Sequence, residues 1–205
     1  MYKTNPKFHN STSYYGHKNN WRHIPHSIYS AGVLPYFIDE NGTIYTLLGK
    51  DLDGVWSDFG GRCEPKDKSD PETTAAREFY EESIGSIMDI NIVSSRIKYD
   101  KEFTKCLHSK TLNGSPYYMY LVKIPYNQNR YREEFKRAYE FQKYIQSDKK
   151  YLEKTDIRWV SFDTLMSSME NKNNEQVLVP LRKVFKATIN TNKTEISNFL
   201  NSLRP

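Results

Sequence analysis

Three glutamates, Glu78, Glu81 and Glu82, fall within five consecutive positions of the stretch "GGRCEPKDKSDPETTAAREFYEESIG". If that stretch is helical, the i, i+3, i+4 spacing puts the three carboxylates on one face, where they repel by roughly a few tenths of a kcal/mol per pair. Such a face calls for a cation. Oxygen-only donors on one rigid surface suit a hard divalent ion, and magnesium binds through a few carboxylates while sharing itself with substrate phosphates. Arg77, inside the same set, can orient a carboxylate by a two-pronged contact that a lysine reproduces poorly. The competing reading is a solvated acidic face, charge-paired with a basic helix near residue 135.

The neighbouring residues say how such a face would be held. Ser69-Asp70-Pro71-Glu72 is a helix start, with Ser69 and Glu72 forming a capping box or Asp70 capping ahead of Pro71. The helix runs through "ETTAAREFYEES", where Ala75, Ala76 and Phe79 can pack inward. Gly60 and Gly61, after the aromatic pair Trp56 and Phe59, permit a sharp turn and close approach of backbone to a ligand.

Upstream, "SIYSAGVLPYFI" and "GTIYTLLGK" read as two strands joined through Asn41-Gly42, a strong hairpin signal. "DGVWSDFGGR" reads as a short strand running into a glycine turn. Downstream, "INIVSSRIKYDKEF" and "SPYYMYLVKIPY", rich in β-branched and aromatic residues, are expected to be strands separated at Gly114-Ser115-Pro116. "RYREEFKRAYEFQKYIQ" places Tyr131, Phe135, Ala138 and Ile145 at helical spacing among basic residues. "DIRWVSFDTL" reads as a strand leading into a helix, and "QVLVPLRKVF" as a helix or turn interrupted by Pro180. "EISNFLNSL" is a helix with Ile196, Phe199, Leu200 and Leu203 on one face. The expected architecture is an α/β sandwich, a mixed sheet flanked by helices with further helices at the C-terminal end. Residues 1–26 form a polar arm, and 27–205 a single domain.

The chain has 205 residues, 37% hydrophobic, 27% charged and 14% aromatic, which is a globular composition. No apolar run approaches the roughly 20 residues needed to span a bilayer, and the N-terminal stretch lacks the apolar core of a secretory signal. No membrane partner is expected. Two cysteines, Cys63 and Cys106, make neither a disulfide framework nor a zinc site, which suits an intracellular, cytoplasmic setting. His23 and His26 have a metal-compatible spacing but no cysteine partners. The net charge of +5 favours polyanionic partners, although a bias toward Asn, Lys, Tyr and Ile inflates the lysine count.

The whole stretch resembles the signature of the Nudix hydrolases. That signature runs from a glycine across a loop with an acidic residue to Arg-Glu-apolar-x-Glu-Glu on a helix, then a glycine. Gly61, Asp67, Arg77-Glu78-Phe79-Tyr80-Glu81-Glu82 and Gly85 fill these places. The resemblance spans about residues 27–170 and departs from the pattern in three ways. The loop carries two extra residues, Asp67 stands where glutamate is usual, and Ile84 occupies the expected glycine position. These departures leave open whether Asp67 or Glu64 serves the loop's acidic role. Lengthened in this form, and with its residue bias, the sequence looks similar to Nudix proteins of large DNA viruses, for which the host cytoplasm would be the setting.

The resemblance implies an α/β/α sandwich that hydrolyses a pyrophosphate bond in a nucleoside diphosphate linked to another group, with magnesium or manganese. It implies Glu78, Glu81 and Glu82 as metal ligands, Arg77 as the partner of a signature carboxylate, and Gly60 and Gly61 as shapers of the loop. For the general base it leaves two candidates, Glu82 and Glu153, the latter just ahead of the last strand. Among substrates, a nucleotide-type diphosphate is expected. The interleaved basic and aromatic residues of "NRYREEFKRAYEFQKY" add RNA, and hence mRNA decapping, as a second reading. A diphosphoinositol polyphosphate hydrolase would need basic residues around the cleft. A binding module without catalysis is the rival from another class, and such modules commonly lose the glutamates that this chain keeps.

Overall fold

The computed structural model describes residues 28–170 and 180–204. The expected arm at 1–26, with His23 and His26, and the segment 171–179 lie outside them.

The chain builds a seven-stranded mixed sheet with helices on both faces. Its first hairpin is the one the Asn-Gly pair predicts. β1 (Ser30–Ile38) and β2 (Ile44–Asp51) run antiparallel, and Asp39 Oδ1 accepts from the amides of Asn41 and Thr43 to close the loop. β3 (Trp56–Ser57) follows β2, and β4 (Phe59–Arg62) returns to pair with the first half of β1. Gly60 and Gly61 therefore lie in a strand, not in the expected turn. Glycine is required there because the two backbones nearly touch: a Cβ on Gly32 or Gly60 would come within 2.8 Å of the other's Cα.

After the acidic helix α1 (Pro71–Glu82), the sequence "INIVSSRIKY" forms a helix, α2 (Ile90–Tyr99), where a strand was expected. Asp89 caps it by accepting from the Asn91 amide at 2.8 Å, and Val93 and Ile97, one turn apart, are both fully buried. The cap and the i, i+4 burial outweigh the β-branched composition, which is a weak preference that packing overrides. The strand lies further on, at β5 (Thr104–Lys110), and forms a hairpin with β6 (Pro116–Lys123). β6 pairs in parallel with β1.

The basic segment is α3 (Gln128–Tyr144), and β7 (Lys154–Ser161) pairs with β2 before α4 (Phe162–Glu170). The residues before Pro180 in the expected helix or turn lie outside the described ones. Residues 180–182 run alongside Trp56, whose amide donates to the Pro180 carbonyl and whose carbonyl accepts from the Arg182 amide. α5 (Lys183–Thr191) and α6 (Lys193–Ser202) complete the described chain.

Alternation along the strands sorts the core into two layers. Ala31, Val33, Tyr120 and Val122 face a cluster with Ala75, Ala76, Phe79, Val93, Ile97, Tyr131 and Phe135, from α1, α2 and α3. Leu34, Tyr36, Met119 and Leu121 face Leu165, Phe185, Ile189, Ile196 and Leu200, from α4, α5 and α6. The result is a sheet between two helical layers, as expected, including the additional C-terminal helices. No helix among the described residues is long and apolar enough to cross a membrane.

Candidate functional site

The acidic face belongs to α1, and local chemistry fixes where that helix starts and how it is turned. Asp70 is the N-cap, accepting from the Glu72 amide at 3.1 Å, with Pro71 in the first helical position. Phe79 meets Phe59 edge-on, with ring centroids 5.3 Å apart, so the apolar side of α1 is seated on β4. Its polar side then lies over the two glycines. A Cβ on Gly61 would fall within 2.7 Å of the Glu78 carboxylate, and the Gly60 amide donates to Glu82 Oε2 at 2.7 Å. Gly61 thus gives Glu78 room, and Gly60 holds Glu82 directly.

Arg77 organises the outer end of the face. Its Nε and Nη2 each lie 2.9 Å from one oxygen of Asp67, and Nη2 also donates to the Arg62 carbonyl. Its Nη1 reaches Glu78 at 2.8 Å and Glu81 at 3.0 Å. Asp67 is fully buried and accepts in addition from the Glu64 amide and the Thr74 hydroxyl, whereas Glu64 is half exposed and 3.5 Å from Arg77. Of the two acidic candidates in the loop, Asp67 is the one that Arg77 grips. Burial alone would raise the Asp67 pKa, but the guanidinium and these donors hold it below its ordinary value. Glu81 behaves alike: burial is outweighed by Lys150, Arg77 and Lys66, and its pKa is lowered.

The inner end is held by a residue that the sequence reading passed over. Lys154, the first residue of β7, is completely buried and donates to Asp51 Oδ1 at 2.6 Å, Ser57 Oγ at 2.7 Å and the Asp58 carbonyl at 3.0 Å. Its ammonium is 3.6 Å from Glu82 Oε1. Asp58 hydrogen-bonds the buried Tyr117 hydroxyl, and Arg182 Nε stands 3.4 Å from Asp51. Burial pushes Glu82 up to about 8, with Lys154 opposing and the charges of Glu78, Asp51 and Asp58 adding. It pushes Glu78 up to about 7, against Arg77 and with help from Glu81 and Glu153. Glu153 itself is exposed, at the end of a short 3-10 helix (Lys149–Leu152), close enough for its charge to act on Glu78.

The charge-paired alternative is corrected here: among the described residues, no ion pair joins the α1 glutamates to α3. The cations that meet them come from Arg77, Lys66, Lys150 and Lys154, while α3 pairs Arg132 with Asp156. Lys154, Asp51 and Arg182 carry no motif and lie up to a hundred residues from the helix. The one sequence signal for them was a lysine at the mouth of a predicted strand.

The site fits a hard cation in donor chemistry. Its ligating groups are all oxygen, Gly61 leaves a hollow that a Cβ would fill against Glu78, and two carboxylates, buried Glu82 and half-buried Glu78, have raised pKa values that a positive ion would relieve. Among the described residues, no three acidic side chains converge as ligands, because each is drawn to an arginine, a lysine or a backbone amide. Two hollows flank this face. One of about 460 Å³ is bounded by Asp58, Gly60, Gly61, Tyr117 and Arg182, the other of about 550 Å³ by Lys66, Arg77, Glu81 and Lys150.

The sequence matches no family model and no curated protein. Among solved structures, the chain is similar to an Ap4A hydrolase of C. elegans, at 15% identity over 86% of this chain and 99% of that one, with a TM-score of 0.47. It is similar to a Nudix hydrolase from M. smegmatis at 14% identity over 82% of this chain and 86% of that one, with a TM-score of 0.46. A third likeness is to the Nudix domain of Shewanella oneidensis NrtR in complex with ADP-ribose, at 12% identity over 83% and 87% of the two chains and a TM-score of 0.46.

Proposed function

We propose that the chain is a Nudix-type pyrophosphohydrolase that uses magnesium or manganese to split the diphosphate of a nucleoside diphosphate linked to another group. The observation that carries this reading is the seating of Arg77-Glu78-Phe79-Tyr80-Glu81-Glu82: three glutamates on one helix face, Glu81 and Glu82 buried and Glu78 half-buried, against a glycine pair of which Gly61 leaves space for Glu78 and Gly60 holds Glu82. Glu78, Glu81 and Glu82 are the candidate ligands for the ion, which when bound would polarise the diphosphate and lower the pKa of its water. Arg77 fixes Glu78 and Glu81, and through Asp67 ties the loop to the helix. The Gly60 amide fixes Glu82. Glu82, whose carboxyl burial pushes up and a cation bound beside it would return to the anion, is the preferred proton acceptor, and exposed Glu153 the alternative.

The reading is tested by incubating the protein with magnesium or with EDTA against ADP-ribose, NADH, diadenosine polyphosphates, nucleoside triphosphates, a diphosphoinositol phosphate and capped RNA, identifying products by mass. Cleavage at a pyrophosphate only when metal is present is the expected result. Metal binding with no cleavage of any compound would favour the non-catalytic module. Capped RNA belongs in the panel because Phe141 and Tyr144 of α3 are exposed beside Lys143, although Tyr131 and Phe135 are spent in the core. The diphosphoinositol phosphate belongs there because Lys66, Lys150, Arg62 and Arg182 border the two hollows.

A further inference from the structure

We infer that Lys154 is a resident cation of the site: its ammonium permanently fills the inner half of the acidic cleft, and a divalent ion is taken only in the outer half, beside Glu78 and Glu81. The inference rests on the hydrolase reading for the outer ion alone.

An ammonium has three donors. Those of Lys154 are matched by three oxygens at 2.6, 2.7 and 3.0 Å, from Asp51, Ser57 and the Asp58 carbonyl, with Glu82 Oε1 at 3.6 Å as a fourth neighbour. This is a cage of oxygen acceptors around a full positive charge, on a side chain with no solvent exposure. The strands are shaped for it. A Cβ on Gly49 would lie 2.9 to 3.1 Å from three carbons of the lysine stem, so this position of β2 leaves the channel through which the stem passes. The Phe59 ring, 5.9 Å from the ammonium, adds a favourable face.

The consequence is electrostatic. Asp51, Asp58 and Glu82 are three acidic groups around one ammonium, Asp58 and Glu82 buried and the Asp51 side chain 12% exposed, a concentration of negative charge that requires a cation beside it. Lys154 and Arg182 already answer that charge from within the chain, and both oxygens of Glu82 face fixed partners, Lys154 on one side and the Gly60 amide on the other. A lysine cannot diffuse away, so the inner position stays cationic at any metal concentration. The chain then has use for fewer divalent ions than its acidic residues suggest.

The test is binding of Mn2+ to the full chain, read by calorimetry and by the electron paramagnetic resonance of free Mn2+, without substrate. Lys154→Met is expected to bind an additional equivalent of Mn2+, or to bind its ion about ten- to a hundredfold more tightly than wild type. Equal stoichiometry and affinity in the two folded proteins overturns the inference, as does the absence of binding in both. Should Lys154→Met not fold, Asp51→Asn decides, since an asparagine still accepts from the lysine. Unchanged Mn2+ affinity supports the inference, and a loss of about tenfold or more makes Asp51 a ligand and Lys154 a displaced bystander, which overturns it. Failure of the hydrolase reading shows separately, as a wild type that turns over nothing in the panel.

Discussion

Arg77 and Lys154 meet the same difficulty at opposite ends of one row of glutamates. Each supplies positive charge to carboxylates that the fold has removed from water, and each uses every donor it has. They differ in origin and in result. Arg77 comes from the same helix as its partners and depresses the pKa of Asp67 and, with two lysines, of Glu81. Lys154 comes from a strand about seventy residues further on and fails to prevent the rise of Glu82. Asp67 and Glu81 are thus stabilised as anions, while Glu82 at the inner end, and Glu78 despite its contact with Arg77, are raised toward neutrality by burial. A buried carboxylate close to neutrality can exchange protons or attract a metal ion, whereas Asp67, gripped by both prongs of the guanidinium, serves to tie the loop to the helix.

Neutralising one carboxylate at each end breaks the comparison most sharply. Glu82→Gln keeps an oxygen for the Gly60 amide, so the fold is expected to persist while turnover of any substrate in the panel falls by about 10² to 10⁴-fold. Because burial disfavours the Glu82 anion, the metal-free variant should unfold at the same temperature as wild type or higher near neutral pH. Glu81→Gln should do the reverse to stability, lowering it, because it loses contacts to Arg77, Lys66 and Lys150. A rate for Glu82→Gln above about a tenth of wild type would remove Glu82 from the proton-transfer role.

Loss of the arginine comes next. Arg77→Met strands Asp67 with its charge buried, and breaking such a pair costs about 3–5 kcal/mol, measurable by urea unfolding. Arg77→Lys should recover only part of that, because one ammonium cannot meet both Asp67 oxygens in the plane of the fork and still reach Glu78 and Glu81. Full recovery would show that charge alone matters.

The two ends were unequally legible in the sequence. Everything on α1 follows a period: the Asp70 cap, the inward alanines and Phe79, and the carboxylates at i, i+3, i+4 could be placed by counting. The strands that alternate, β1, β2, β6 and β7, were equally readable, as were the helices α3 and α6. Composition misled at Ile90–Tyr99, where the decisive residue was the cap Asp89, one position outside the window. It also misled at Gly60-Gly61, because a glycine pair signals a turn and a close strand crossing alike. The glycine expected at 84 is an isoleucine, and the structure shows why one was expected. Ile84 and Gly85 both have positive φ, 57° and 62°, so the left-handed turn spans two residues and only the second is unstrained. Lys154, Asp51 and Arg182 were invisible since no local pattern ties them together; they meet only when β2, β7 and the strand-like run after Pro180 are laid side by side.

The pH dependence of the metal-free protein should separate the ends without mutation. Glu82 has a folded pKa near 8 against an ordinary value of 4.5, so between these values the folded state binds the extra proton and stability declines as pH rises. Asp67 has the opposite sign. Its lowered pKa gives stability that is fully present above its unfolded value of about 3.9 and lost as pH falls through the folded value. Thermal melts in EDTA should therefore show a maximum on the acid side of neutrality. Glu82→Gln should remove part of the alkaline limb, the remainder coming from Glu78, and Asp67→Asn should flatten the acid one. A wild-type curve that rises steadily from about pH 5 to 8 would contradict the assignment of strain to the inner end.

The smallest effect is expected where geometry is good but water is present. Arg132 grips Asp156 through two contacts, Nε at 2.9 Å and Nη2 at 2.6 Å, which rivals the Arg77–Asp67 pair in form. The difference is exposure: the arginine side chain is 45% exposed, against 7% for Arg77. In water the Coulomb gain is screened and the freed carboxylate is simply rehydrated, so Arg132→Ala should lower stability by no more than about 1 kcal/mol. Arg77→Met, measured under the same conditions, should cost several times as much. If the two losses were equal, desolvation of Asp67 would not be what makes the outer end of the site rigid, and the ordering of the whole row of glutamates by burial would fail with it.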